Sequence, residues 1–387
     1  MTEGHTRNPA WWSVAAFGVI VAVALAMPAM ARASTISDPD DVHGKLDIAS
    51  VTQEHGARGP VVHTITTYEA WSGRAISIRR GSAFLIDFDT AGGTRAERFA
   101  IVYRSHGILR VAVLTRNGRE LGFGTATRPS LKSIRVSIPR KLLGKPNGYR
   151  WRLFSVYFGP GCRAGCVDRA PNGGEVLHDL AAPALTFPKP GLPASTTTAI
   201  HFGVIDKGHS GLQTWTLQGR DAGATTWTDV ATGSASGDQS VSITAAEGDR
   251  RQFQVVARDV AGNVSTSRVR TISFPFDDGN AGMTYAGTWG TSGAGALDYL
   301  GTLHSSSDPA ATVSYTFQGA SVSIVGRGSC GDASVAIDGG AAQPVSEPCG
   351  GEHRATVFTA AVDPNTPHTL VLSITGGTFG FDGIVVR

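Results

Sequence analysis

Apolar and polar residues alternate at every second position in run after run of this chain, with glycine, proline and asparagine between the runs. No window sustains the 3.6-residue apolar period of an amphipathic helix, so the pattern predicts an all-β protein. Over residues 44–160 it predicts strands at Leu46–Val51, Val61–Trp71, Ser82–Asp89, Phe99–Arg104, Leu109–Thr115, Lys132–Ile138 and Tyr149–Phe158. Thr115-Arg116-Asn117-Gly118-Arg119 carries an Asn-Gly hairpin signal, because both central residues of a tight hairpin need positive φ. Seven strands within one ordinary domain length point to a β-sandwich. At 387 residues the chain is too long for one compact core, and its 49 glycines suit turn-rich sheets.

The N-terminus has the order of a secretory signal peptide. Arg7 supplies positive charge, Trp11 to Met27 is free of charged residues, and Ala31-Arg32-Ala33 offers small residues at −3 and −1. Residues 1–33 are therefore expected to be removed, with Ser34 first in the exported chain and no stable membrane insertion after cleavage. The competing reading is a retained anchor. The apolar run is slightly short of the ~20 residues that span a bilayer, and Pro28 breaks it. Four cysteines in an oxidising compartment suggest disulfides. Cys162 and Cys166 share a loop, and pairing them together leaves Cys330 with Cys349, which ties no separate domains to each other. A zinc site is the alternative, but Cys-x3-Cys lacks a second close ligand pair.

Pro188, Pro190, Pro193 and the Ser/Thr run to Thr198 form a stiff polar connector, since proline cannot donate to a ladder. The expected organisation is a sandwich over 34–187, a linker over 188–198, a second domain over 199–275 and a third over 276–387. Charge follows that division. Residues 34–190 hold 22 Lys+Arg and 13 Asp+Glu, a net of +9; residues 191–275 hold 7 and 7; residues 276–387 hold 3 and 10, a net of −7. A basic first module can meet an acidic wall polymer or membrane surface, or the acidic third module.

Gly208-His209-Ser210-Gly211-Leu212-Gln213-Thr214-Trp215, Thr226-Trp227-Thr228 and Phe253 to Ser265 resemble the Ig-like and fibronectin type III-like repeats of bacterial surface proteins. In the last stretch a strand ends in an Arg-Asp turn, and Gly262-Asn263 lets the chain reverse. The resemblance implies a spacer or interaction domain. From Phe276 onward, Tyr285-Ala286-Gly287-Thr288-Trp289, Gly301 to Ser306, Val313 to Gly319, Val322 to Gly326, Ala336 to Gly339, Pro367 to Leu370 and Gly380 to Val386 come in order. That order is similar to the galactose-binding-like jelly roll shared by many carbohydrate-binding modules. Asp38 to Ile48, Val62 to Tyr68 and Cys166 to Asn172 are similar to sandwich domains of secreted actinobacterial proteins.

Catalytic patterns are sparse. Gly208-His209-Ser210-Gly211 lacks the second glycine of a nucleophile elbow, because Leu212 stands there. Asp87 and Asp89 share one face of a strand, as a glycosidase pair could, but a solvated edge is the plain explanation. No catalytic residue is assigned and no nucleic-acid motif is present. The expectation is no cofactor, with structural calcium as the alternative: Asp277 and Asp278 open the third domain and Asp382 lies in its last strand, which such jelly rolls often place alongside the first. Asp38, Asp40, Asp41 and Asp168 make a second candidate set. Sugar binding needs aromatic faces and a few polar groups; Tyr285, Trp289, Tyr299, His304 and Arg327 are the candidates, with Tyr299 and Arg327 expected to be exposed. Three readings stay open: a secreted non-catalytic binding protein of the cell surface or wall recognising carbohydrate through its jelly roll, a polymer-acting enzyme or accessory with its site in the first domain, and a structural or adhesive protein that binds other proteins. Nothing in the sequence sets the oligomeric state.

Overall fold

A computed structural model describes residues 33–54, 59–93, 95–292 and 297–387. The expected signal peptide, up to Arg32, lies outside the described residues. Strands dominate what is described, interrupted by single-turn 3-10 segments at Ile78–Arg80, Arg140–Leu143 and Tyr299–Gly301. No helix among the described residues is long and apolar enough to cross a membrane. The protein is all-β, and its buried side chains collect in three clusters, each between two sheet layers.

The first sandwich is one continuous antiparallel ribbon. Its order runs Ala33–Ser37, Ile48–Glu54, Val61–Thr67, Ser133–Ile138, Glu120–Thr127, Ile108–Thr115, Arg98–Ser105, Ala83–Asp89, Gly148–Gly159 and Cys162–Ala170. Glu120–Thr127 joins the two layers: Gly122 to Gly124 pair with Val111 to Val113, and Thr125 to Thr127 pair with Arg135 to Ser137. The Asn-Gly hairpin is present, with Gly118 at φ +80° and Thr115 and Arg119 closing the turn. Inward-facing Phe84, Phe88, Val102, Val113, Ile134, Trp151 and Leu153 fill the space between layers. Fully burying side chains of this size stabilises by roughly 1.5–3 kcal/mol each before chain entropy is subtracted.

Asp87 and Asp89 do not lie on a solvated edge. Ala83–Asp89 is paired on both sides, and both carboxylates are buried. Asp87 accepts from Arg152 Nε at 3.0 Å, and Asp89 Oδ1 accepts the backbone N–H groups of Ala91, Gly92 and Gly93. Asp87 thus serves an ion pair and Asp89 Oδ1 a turn, while Asp89 Oδ2 is buried without a hydrogen-bond partner.

In the second sandwich Ala184–Thr186, Thr197–Ile205 and Gly237–Thr244 face Thr228–Gly233, Leu212–Asp221, Arg250–Asp259 and the short strands Val264–Thr266 and Arg270–Ser273. Phe202 and Trp215 meet edge to face at 5.1 Å in its core. The Arg-Asp turn closes as its residues suggest: Asn263 donates to both carboxylate oxygens of Asp259, through its backbone and its side chain. Strand Ala184–Thr186, upstream of the proline run, pairs with Gly203 to Ile205.

The third sandwich stacks Gly290–Ser292, Leu303–Ser306, Phe379–Val386, Ser321–Arg327 and Ala355–Ala361 on Met283–Ala286, Thr312–Gln318, Pro367–Gly376, Asp332–Ile337 and Gln343–Ser346. Its first strand, Phe276–Asp277, does lie beside the last, with Asp277 opposite Gly383. That approach requires glycine: Gly383 sits at φ +145°, and a Cβ there would stand 2.2 Å from the Phe276 carbonyl oxygen. Both disulfides form within their neighbourhoods, Cys162–Cys166 and Cys330–Cys349.

Candidate functional site

The aromatic candidates of the third sandwich split into two groups. Tyr285, Trp289 and His304 come together half-buried: Tyr285 stacks on His304 at 4.2 Å and meets Trp289 edge to face at 5.3 Å. Each is anchored. Trp289 Nε1 donates to the Ala286 and Thr312 carbonyls, Tyr285 Oη donates to the Asp278 carbonyl, and His304 Nδ1 lies 2.5 Å from Asp278 Oδ2. Tyr299 stands apart from this group. It was expected on the surface and is instead fully buried, because its backbone N–H is held by Asp382 at 2.9 Å in a short 3-10 turn. A buried ring cannot offer a face to a sugar. Arg327 is partly exposed and pairs at 3.5 Å with the fully buried Asp298, which also meets His353 Nδ1 at 2.7 Å.

The carboxylates beneath these rings are buried. Thr302 Oγ1 lies 2.6 Å from Asp278 Oδ1 and 3.1 Å from both oxygens of Asp277. Asp382 keeps Oδ2 unpartnered. Burial, then the nearby Asp278 charge, raises Asp277 to about 6, and burial raises Asp382 to about 8. Asp277, Asp278 and Asp382 do not converge as three ligands. Among the described residues, the carboxylate groups whose oxygens lie within 4.8 Å of one another are Asp38, Asp41 and Asp168, and Asp179, Asp206 and Asp259.

Glu347, which nothing in the sequence singles out, is buried with one oxygen on the Gly380 N–H and the other unpartnered. Burial holds its carboxyl at about 7, above an ordinary value near 4.5. The folded state therefore retains a proton that the unfolded chain has lost, and stability falls as pH rises from about 4.5 through 7. Between pH 5 and pH 8 this group should cost about 2 kcal/mol. Urea denaturation of Glu347→Gln is expected to show a shallower decline over that range than the parent; equal slopes would rule out a titrating Glu347.

Ser210 is a turn residue. Its hydroxyl and its backbone N–H both point to Asp179 Oδ2, and Gly208 and Gly211 donate to Asp206. No imidazole activates that hydroxyl among its hydrogen-bond partners.

The first sandwich carries a feature that only the fold assembles. Arg74, Arg79, Arg80, Arg104 and His106 line a cleft of about 510 Å³, with no acidic residue in its wall. Arg79 and Arg80 ride on the Ile78–Arg80 turn, which the Ser77–Ser82 bridge closes. Arg104 lies near the end of the Arg98–Ser105 strand, and His106 opens the two-residue hairpin turn that follows, in which His106 and Gly107 both take positive φ. None of the four arginines forms an ion pair with a described acidic residue. The overall charge of +9 hinted at a basic face, but Arg104 lies too far along the chain from Arg79 for spacing to join them.

No family model matches this chain, and no curated protein matches it. Solved structures share its β-sandwich architecture. The chicken CNTN1 FN1–FN3 domains align over 91% of this chain and 99% of their own length, at 12% identity and a TM-score of 0.28. A marsupial T cell receptor aligns over 84% and 94%, at 10% identity and 0.35. Carbohydrate-binding modules from the β-sandwich superfamily align over 53% and 98%, at 12% identity and 0.27. The fold defines a multi-sandwich all-β protein.

Proposed function

We propose that this chain is an exported, non-catalytic binding protein of the cell surface or wall whose ligand is an acidic carbohydrate polymer. The observation that carries this reading is the arginine cleft: four guanidinium groups and an imidazole around one concavity, with no carboxylate to neutralise them. Guanidinium pairs bidentately with phosphate, sulfate and carboxylate, and such charge-assisted bonds are about twice as strong as neutral ones. Export agrees with the signal-like N-terminus and the two disulfides. The half-buried group of Tyr285, Trp289 and His304 supports a second, uncharged sugar contact on the third sandwich, from which the buried Tyr299 ring is excluded.

Binding of the full chain to a phosphate-bearing wall polymer, a uronic-acid polymer and a neutral β-glucan separates these contacts. Affinity for the acidic polymers should fall steeply with salt, as counterions are released. Replacing Arg79, Arg80 and Arg104 together by alanine should weaken it about 100-fold, from roughly 1 kcal/mol per lost contact. Tyr285→Ala should affect the neutral glucan alone. Undiminished acidic-polymer binding by the triple variant would remove the arginine cleft from the function.

A further inference from the structure

Five aspartates meet at one corner of the first sandwich. Asp38 follows the Ala33–Ser37 strand, Asp40 and Asp41 continue that loop, Asp47 precedes Ile48–Glu54, and Asp168 lies within Cys162–Ala170. Carboxylate oxygens of Asp38, Asp41 and Asp168 lie within 4.8 Å of one another, and Asp47 contacts both Asp40 and Asp168. Asp38, Asp47 and Asp168 are at least nine-tenths buried, whereas Asp40 and Asp41 are exposed at the mouth. None of the five pairs with an arginine, lysine or histidine among the described residues.

The surrounding hydrogen bonds account for some of these oxygens. Asp168 Oδ2 accepts the Ile48 N–H at 2.6 Å, Asp168 Oδ1 accepts the Arg169 N–H at 2.5 Å, and Asp41 Oδ2 accepts Asn172 Nδ2 at 2.7 Å. Two buried oxygens of the group have no partner. Asp38 Oδ2 and Asp47 Oδ1 are buried with no hydrogen-bond partner, although their residues are only 3% and 4% exposed. A buried acceptor without a donor costs about 1–3 kcal/mol, and more when it is charged. Several like charges held together without a counter-charge cost more again. A cation removes both penalties at once.

We propose that Asp38, Asp41, Asp47 and Asp168, with Asp40 at the rim, bind one calcium ion. The donors are all hard oxygens, and they come from three separate segments. Calcium accepts six to eight oxygens in irregular geometry, which such a loop-built set supplies; magnesium demands a near-ideal octahedron and dehydrates reluctantly. The ion would hold the loop after the N-terminal strand to the Cys162–Ala170 strand. The site is independent of the arginine cleft, so either can fail without the other.

The test uses the full chain stripped with chelator. Isothermal titration with calcium chloride should show binding, and thermal unfolding should shift upward by about 5 °C at calcium well above its Kd. Magnesium at the same concentration should shift it far less. Terbium, which substitutes for calcium, should emit when Tyr68 is excited, because Tyr68 Oη lies 2.5 Å from the Asp38 carbonyl oxygen; Tyr68→Phe should dim that emission. Asp38→Asn should abolish this site. Asp41→Asn, at an exposed position, should weaken it about 10-fold. Asp259→Asn, in the other carboxylate group, should leave the terbium signal unchanged. Calcium stoichiometry unaltered in both Asp38→Asn and Asp41→Asn, or an equal response to magnesium, would overturn the assignment.

Discussion

Acidifying the protein from pH 7 to pH 4 should draw about 3 kcal/mol of stability out of one residue, His63. Its ring is fully buried in the first sandwich, edge-on to Trp151 at 4.8 Å and Phe88 at 5.8 Å. Both ring nitrogens lack a hydrogen-bond partner. Burial lowers its pKa from 6.5 to about 3, since a charged imidazole has nothing to solvate it there. The unfolded chain takes up a proton below pH 6.5 and the folded chain does not. Stability contributed by neutral His63 is therefore whole above pH 6.5 and is lost as pH falls toward 3. Urea denaturation at pH 7 and pH 4 should show the gap between parent and His63→Leu changing by about 3 kcal/mol, in favour of the variant at low pH. The raised carboxyls act in the opposite direction, so the comparison with the variant isolates the histidine. A gap that stays constant between the two pH values would mean the imidazole is protonated when folded.

The second large effect is expected at Gln53. This amide is 1% exposed and bridges two layers of the core. Its Oε1 accepts the Trp151 indole N–H at 2.7 Å, and its Nε2 donates to Tyr149 Oη at 2.5 Å. Burial holds the Tyr149 phenol well above its ordinary range, against the smaller downward pull of the Gln53 hydrogen bond and the Arg140 charge, so it stays protonated. Gln53→Leu removes both partners at once. Two buried polar groups left unsatisfied cost about 1–3 kcal/mol each, so a loss of about 4 kcal/mol is expected in the urea midpoint. Adding Tyr149→Phe to Gln53→Leu should cost less than the two single changes summed, because the phenol then has nothing left to lose. Strict additivity would show that the two side chains do not share a network.

These residues also mark where reading the chain succeeds and where it stops. His63 and Gln53 look like the polar half of an alternating strand, and Val61–Thr67 was legible on that basis. Its burial on both faces was not, because it depends on the layer packed above it. Glu120–Thr127 escaped detection as a strand although the hairpin leading into it was plain: its side chains are half-buried at most, so alternation has little to select. Cys162–Ala170 has no apolar alternation at all, and the disulfide and Asp168 decide its sequence instead. The pairing of the third sandwich's first and last strands could be anticipated from motif order. Tyr299 could not be placed, since its burial comes from Asp382, more than eighty residues away. Asp38, Asp40, Asp41 and Asp168 could be grouped from their chemistry, but Asp47 joins them only because two strand ends meet. Arg74, Arg79, Arg80 and Arg104 gave no local signal beyond net charge.

The order of the first ribbon has a further consequence. Ala33–Ser37 stands at one margin and Cys162–Ala170 at the other, and each presents backbone groups that no neighbouring strand satisfies on its outer side. Open margins of this kind are templates on which other chains can add strands. Here the two margins are drawn toward each other, with Asp168 of one reaching the Ile48 N–H beside the other. The aspartate corner thus acts as a clasp on a collar. While it is fastened, the two lips are held side by side; unfastened, both would be freed together.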